Sequence, residues 1–231
     1  MNVYMVVEGR RTEPKVYPAW LSLLKPDFKR VDSPKLMTGN SYYLFSACGI
    51  PAIYKHIVNS VKDIEEINSH VKRDSERIDL LMVCMDVEEE SREYILSRIG
   101  EELAKENVEC DVPIAVFEQK VCMDTWFLGN RKDFKPNPQD DKLCEYIRHH
   151  NVSEDDPELM ECPSGSIFET KAQFHYDYLR RMLRERGVVY SKSSPSHVTE
   201  SHYLGRLIDR NLSTGHIPSF GRWYDFVMKN F

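Results

Sequence analysis

The sequence lacks several patterns that would settle a function at once. No two of its six cysteines (48, 84, 110, 122, 144 and 162) stand in a CxxC pair, which excludes a zinc ribbon and a thioredoxin-type centre. No apolar run approaches the roughly 20 residues that span a bilayer, so no membrane role is expected. There is no GxxxxGK[ST], hence no P-loop, and Ser164-Gly165-Ser166 lacks the G-x-S-x-G context of a hydrolase elbow. Internal repeats and low-complexity stretches are absent. The opening MNVYMVVEGRRTE has no basic segment followed by a long apolar one, and so predicts no secretory signal. Cys84 lies inside the apolar run LLMVCM, where a buried, reduced thiol is expected, and with it a cytoplasmic location.

What is present suits an ordinary folded domain. Of 231 residues, 41% are hydrophobic and 29% charged, and the chain is long enough to bury a sizeable core. The net charge of -6 is unevenly spread. Residues 171–231 carry 10 Lys and Arg against 5 Asp and Glu, a balance of +5, which leaves -11 on the first 170. An acidic part joined to a basic tail suits a metal-binding centre beside a phosphate-binding surface, or simply an uneven solvated surface.

The chain alternates short apolar runs with amphipathic stretches. Val3–Val7 predicts a buried strand, ended by Glu8-Gly9. Thr12 is the expected N-cap, and Pro14 fits the first turn, of a helix to about Leu24 that Pro18 should kink. Residues 25–40 read as a loop and Tyr42–Cys48 as a weak strand. Ile53, Ile57, Val61, Ile64, Ile67 and Val71 recur at intervals of three and four, which makes one apolar stripe on a helix. Ile78–Met85 and Val112–Phe117 predict two more buried strands, separated by a helix with Ile95, Ile99 and Leu103 on one face. Residues 130–168, punctuated by Pro136, Pro138, Pro157 and Pro163, read as an irregular excursion or lid with a short helix near 140–150. Helices are expected over Phe168–Arg186, Ser196–Asn211 and Pro218–Asn230, with a last strand at Val188–Tyr190. Together these predict an α/β fold, a mostly parallel sheet flanked by helices, with a helical C-terminal part. The expected division is 1–129 as core, 130–168 as insertion, and 169–231 as C-terminal strand and helices.

In a parallel sheet, functional groups gather beyond the carboxyl ends of the strands. Three predicted strands end in acids: Glu8, Asp86 with Glu88, and Glu118. Asp86 and Glu88 are two apart and point the same way in an extended segment. Converging carboxylates repel one another unless a cation neutralises them, and oxygen donors suit Mg²⁺ or Mn²⁺. Gly9 permits a tight turn, and the helix start behind it, with Arg10 and Arg11, suits a phosphate; both arginines suit a solvated surface equally well. His149-His150 could serve as metal ligands, Trp223, Tyr224 and Phe226 could stack on bases, and Arg180, Arg181, Arg184 and Arg186 could track a phosphate backbone; the bland readings are exposed helix residues, helix-docking aromatics and a solvated helix face.

VVEGRRTEPKVY resembles the EG-x-x-TEP-x-x-Y opening of RloB-like and OLD-associated Toprim proteins. MDVEEE is similar to the acidic second motif of Toprim domains, MDTWFLGN to their Glu-x-Trp-Leu-Leu stretch, and YSKSS and HIPSFGRWYDFV to their C-terminal segments. The resemblance implies a Toprim fold and metal-dependent phosphodiester cleavage of DNA or RNA, often in anti-phage defence beside an ABC-type or AAA ATPase. It implies that Glu8 is a metal ligand or acid/base, that Asp86 and Glu88 bind Mg²⁺, and that Lys192 stabilises a phosphate. Glu88 departs from the usual aspartate, and the third acid is either Glu118 or Asp124, which stands where relatives carry glutamate. A latent or regulatory subunit that mainly binds an ATPase is the competing expectation. A phosphoacceptor domain fits the EGRRTE turn poorly. Assembly state, a homo-oligomer included, is left open.

Overall fold

A computed structural model describes residues 1–87 and 90–231. In chain order its elements are β1 (Asn2–Val7), α1 (Glu13–Leu24), β2 (Lys29–Val31), β3 (Ser41–Ser46), α2 (Ala52–His70), β4 (Leu80–Asp86), α3 (Arg92–Lys105), β5 (Ile114–Gln119), α4 (Met123–Phe127), α5 (Asp141–His149), α6 (Lys171–Arg184), α7 (Ser201–Thr214) and α8 (Pro218–Asn230). The five strands form one all-parallel sheet in the order β2-β3-β1-β4-β5, flanked by helices, as the alternation of apolar runs predicts. Among the described residues, no helix is long and apolar enough to cross a membrane.

The chain divides into two compact units. The first comprises residues 1–85, 90–118 and 227–231; the second comprises 86–89 and 119–226. The expected boundary at 129 therefore falls inside the second unit, and the excursion 130–168 lies wholly within it.

In the first unit β1 is the middle strand, with Val7 opposite Ser46 of β3 and Cys84 of β4. All six residues of β1 are buried, as are Leu80–Met85 of β4, which explains why both read as unbroken apolar runs rather than as alternations. Each Val, Leu or Met so buried contributes about 1.5–3 kcal/mol. The α2 stripe behaves as its spacing predicts: Ile53, Ile57, Val61, Ile64 and Ile67 are buried, and the helix ends at His70, with Val71 as C-cap. Asn2 organises the amino ends of the strands. Its Nδ2 donates to the carbonyls of Ser75 and Arg77 (2.8 and 2.7 Å), and its Oδ1 accepts from the Ser41 hydroxyl (2.8 Å). Helix α1 passes through Pro18 without a break. Residues 25–40 hold more than a loop: Lys29–Val31 pairs with β3 as an edge strand too short to show periodicity.

The second unit is built from helices around hydrogen-bonded side chains. Asp140 caps α5 by accepting from the amides of Lys142 and Leu143 (2.9 and 3.1 Å). Tyr146 of α5 packs edge-on against Phe174 of α6 at 4.9 Å between ring centroids, and its hydroxyl donates to Asp177 (3.0 Å). The expected strand Val188–Tyr190 does not form. Gly187 adopts φ +73°, and the Val188 amide donates back to Leu183 of α6, so this segment closes a helix instead of joining a sheet. The expected helix from Ser196 is a 3₁₀ turn (Ser196–Thr199) followed, after Glu200, by α7. Helix α7 ends at Gly215 in the left-handed region, with its amide on Asn211 O.

Candidate functional site

The turn after β1 is closed by its own acid. The Glu8 amide donates to Cys84 O (3.0 Å) and its carbonyl accepts from the Gly49 amide (3.0 Å), so the residue continues the ladder past the strand. The Gly9 amide donates to Glu13 Oε1 at 3.0 Å, and its carbonyl accepts from the Ser46 hydroxyl at 2.8 Å. A Cβ at position 9 would meet the Glu13 carboxylate at 2.0 Å and push it off the Gly9 amide. Thr12 occupies the N-cap position of α1 as expected, but its side chain makes no cap hydrogen bond. Glu8 is half-buried, and Arg10 and Arg11 are exposed at the start of α1. Also in the first unit, Glu118 is buried and ion-paired to Arg92 (Nη1 to Oε2, 3.0 Å), whose guanidinium also donates to Val116 O (2.7 Å). A carboxylate held this way ties the start of α3 to β5 and is poorly placed to serve a metal.

The second unit gathers Asp86, Asp124 and Lys192. Asp86 closes β4 and is half-buried. The next residue, Val87, donates its amide to the carbonyls of Gln119 and Val121 (both 3.1 Å), which fixes the exit of the strand. Asp124 lies in α4, a helix with all five residues buried, and is itself only 2% exposed. Its Oδ1 accepts from the Tyr190 hydroxyl (2.6 Å), and Lys192 Nζ stands 3.4 Å from its Oδ2. The ammonium also lies 5.6 Å from the centroid of the Tyr176 ring.

The Asp124 carboxyl is raised above its ordinary value by burial, against the opposing pull of Lys192 and the Tyr190 hydroxyl. For Lys192, burial favours the neutral amine, but the facing charge of Asp124, with contributions from Cys122 and Asp86, raises the group above its ordinary value. We read the pair as a charged one, because each partner supplies the counter-charge the other needs. The neighbouring Cys122 thiol is pushed well up, first by burial and then by Asp124 and Asp86, which leaves it without nucleophilic character.

These residues sort the expected site. Asp86, Asp124 and Lys192 come together in the second unit; Glu8, Arg10, Arg11 and Glu118 belong to the first. Glu88 lies outside the described residues. Carboxylate oxygens fit the hard-donor preference of Mg²⁺ or Mn²⁺, and Asp86 meets it. Both Asp124 oxygens are already engaged, so Asp124 suits the tethering of Lys192 better than ligation.

Other expectations resolve on their bland side. His149 and His150 meet the carbonyls of Glu161 (2.8 Å) and Asp156 (3.1 Å). Trp223 is fully buried beside Trp126, at 6.3 Å between ring centroids, so it docks a helix. Arg180 and Arg181 bind Asp177 at 2.8 and 2.7 Å, and Arg186 donates to the carbonyls of Asp133 and Phe134 (3.2 and 2.6 Å). Arg184 and Arg186 are exposed and the Arg180 side chain is 40% exposed, so the group lies on a solvated helix face with three of its members tied to neighbouring acceptors. Tyr190 escaped notice in the sequence because nothing local links it to an acid 66 residues earlier. His175 did too: it is buried, accepting from Thr125 Oγ1 (2.7 Å) and donating to Met160 O (2.9 Å).

The architecture thus defines an α/β protein with acids at strand ends. Compared with known protein families, characterised proteins and solved structures, the chain has no match.

Proposed function

We propose that the chain is a Mg²⁺- or Mn²⁺-dependent Toprim-type nuclease that cleaves phosphodiester bonds in DNA or RNA, an anti-phage effector acting in the cytoplasm with an ABC-type or AAA ATPase. The observation that carries this reading is Lys192, 44% exposed at its side chain, tethered 3.4 Å from buried Asp124 and within the field of Asp86. A cation held by a buried acid, beside a second acid at a strand end, is an arrangement suited to a phosphate that gains negative charge as it reacts.

The roles follow from the groups. Asp86 offers a hard oxygen donor at the end of β4. Asp124 and Tyr190 restrain Lys192, so its ammonium meets the developing charge on the phosphoryl oxygens with little reorganisation. A bound divalent ion would polarise the scissile phosphate and lower the pKa of the attacking water. Glu8, Arg10 and Arg11 enter through the resemblance of the EGRRTEP motif, as proton acceptor or ligand and as phosphate contacts; Glu88 enters the same way, as the second acid of the pair.

The test is incubation of the purified chain with plasmid, single-stranded DNA and tRNA in Mg²⁺, Mn²⁺ or EDTA. Cleavage should vanish in EDTA and in Asp86→Ala, and fall by about 10²-fold in Lys192→Ala, the usual cost of one stabilising donor. Cleavage that survives both substitutions defeats the proposal. No cleavage with any metal, together with stable capture of an ATPase, favours the latent-subunit reading instead.

A further inference from the structure

His197, Glu200 and His202 place one donor atom each within 4.8 Å of one another, where the 3₁₀ turn meets α7. Glu200 stands between the imidazoles, its Oε1 3.9 Å from His197 Nδ1 and its Oε2 3.2 Å from His202 Nδ1. The spacing is H-x-x-E-x-H, and the donors are two nitrogens and one oxygen. That set matches borderline cations of the Zn²⁺ class, whereas Mg²⁺ prefers oxygen alone.

A second observation separates this group from a chance cluster of surface charges. His197 turns its other ring nitrogen to Asp133, with Nε2 2.9 Å from Oδ2, and Asp133 itself accepts from Asn130 Nδ2 at 3.0 Å. An ionised carboxylate only accepts, so it holds the proton on Nε2 and leaves the Nδ1 lone pair facing Glu200. A carboxylate behind a histidine is the outer-shell partner that metal-ligating imidazoles usually have; it orients the ring and makes it more basic. The ring plane is fixed again by Tyr203, edge-on at 5.4 Å between centroids, whose hydroxyl is bound to Phe127 O at 2.7 Å. His197 is thus the preset ligand, 21% exposed, while Glu200 and His202, at 52% and 58%, are free to close by the ångström or so that bonds of about 2 Å to a common ion require.

We infer that His197, Glu200 and His202 bind a Zn²⁺-class ion, with Asp133 as positioning residue and at least one coordination position open to water or an outside donor. The site uses none of Asp86, Asp124 and Lys192, prefers a different metal, and does not depend on the nuclease reading.

The test uses the full-length chain, tag-free and stripped of metal, titrated with ZnCl₂ by calorimetry and with Co²⁺ by visible absorption in excess Mg²⁺. One ion should bind with an intense d–d band of low coordination number. His202→Ala and His197→Ala should each weaken binding at least 10-fold, with circular dichroism unchanged for the exposed His202. Asp133→Asn, which removes no ligand, should weaken it by about 10- to 100-fold. Zn²⁺ binding untouched by His202→Ala, as would follow from capture by cysteines, overturns the proposal. So does a Co²⁺ spectrum that stays that of the hydrated ion.

Discussion

Both units bury an apolar core, but the helical unit buries more polar side chains within it. The sheet unit is an apolar core, and its buried polar residues among those described are Asn2, Thr12, Glu13, Ser41, Ser60 and Glu118. The helical unit buries Gln119, Asp124, Thr125, Asn130, Glu158, His175, Asp177, Arg210 and Ser219. Apolar contacts are non-directional and tolerate small shifts. A buried polar group is costly unless its partner sits at the correct distance and angle, so the second unit is specified by pairings between residues far apart in sequence.

The largest effect should come from removing one such hub. The Arg210 guanidinium donates to the carbonyls of Gly129 (3.2 Å), Val152 (2.6 Å) and Asp155 (2.7 Å), and burial has lowered the group to about 10. Arg210→Leu leaves those acceptors short of donors and should cost about 3 kcal/mol in urea unfolding. A loss under about 0.5 kcal/mol would show that packing, not pairing, holds this unit.

A subtler consequence is a pair of opposed pH slopes. Burial lowers His175 from 6.5 to about 4, so its contribution is complete above 6.5 and is lost as pH falls toward 4. Burial raises Glu158 from 4.5 to about 7, so its contribution is complete below 4.5 and is lost as pH rises through 7. Each spans about 3 kcal/mol at most, and between pH 4.5 and 6.5 they nearly cancel. Stability of His175→Gln should therefore fall as pH rises across that window, and that of Glu158→Gln should rise. Parallel profiles for the two variants would refute the assignment.

The smallest effect belongs to the surface of the sheet unit. Lys62 and Glu106 approach to 3.0 Å with side chains 46% and 50% exposed, where solvent screens the pair, and Lys62→Ala should leave the urea midpoint essentially unchanged. A lower midpoint would blur the contrast between the units.

The same contrast explains what could be read from the chain. Strands β1, β4 and β5 and helix α2 follow from runs and periods because water avoidance leaves a regular trace in sequence. Strand order leaves none, and β2, at three residues, is shorter than any period can reveal. Val188–Tyr190 misleads because β-branched residues next to an aromatic mimic a strand, whereas Gly187 ends a helix there and Tyr190 reaches for Asp124. Asp86 is legible because it ends an apolar run. The tether of Lys192 to Asp124 is visible only once the fold is known, since the two are joined by geometry alone. The His197, Glu200 and His202 spacing was open to inspection all along, but Asp133, which gives it meaning, lies 64 residues away.

Tyr190 and Lys192 carry a practical consequence for anyone trimming this polypeptide. Both partners of Asp124 arrive more than 60 residues after it. A fragment stopped at Gln119 would keep every strand; one stopped at 187 would keep the acid and discard its two companions, burying a naked charge. The shorter piece has a debt of its own, because it loses residues 227–231 of the sheet unit, where Phe231 stacks on Phe28 at 4.4 Å between ring centroids.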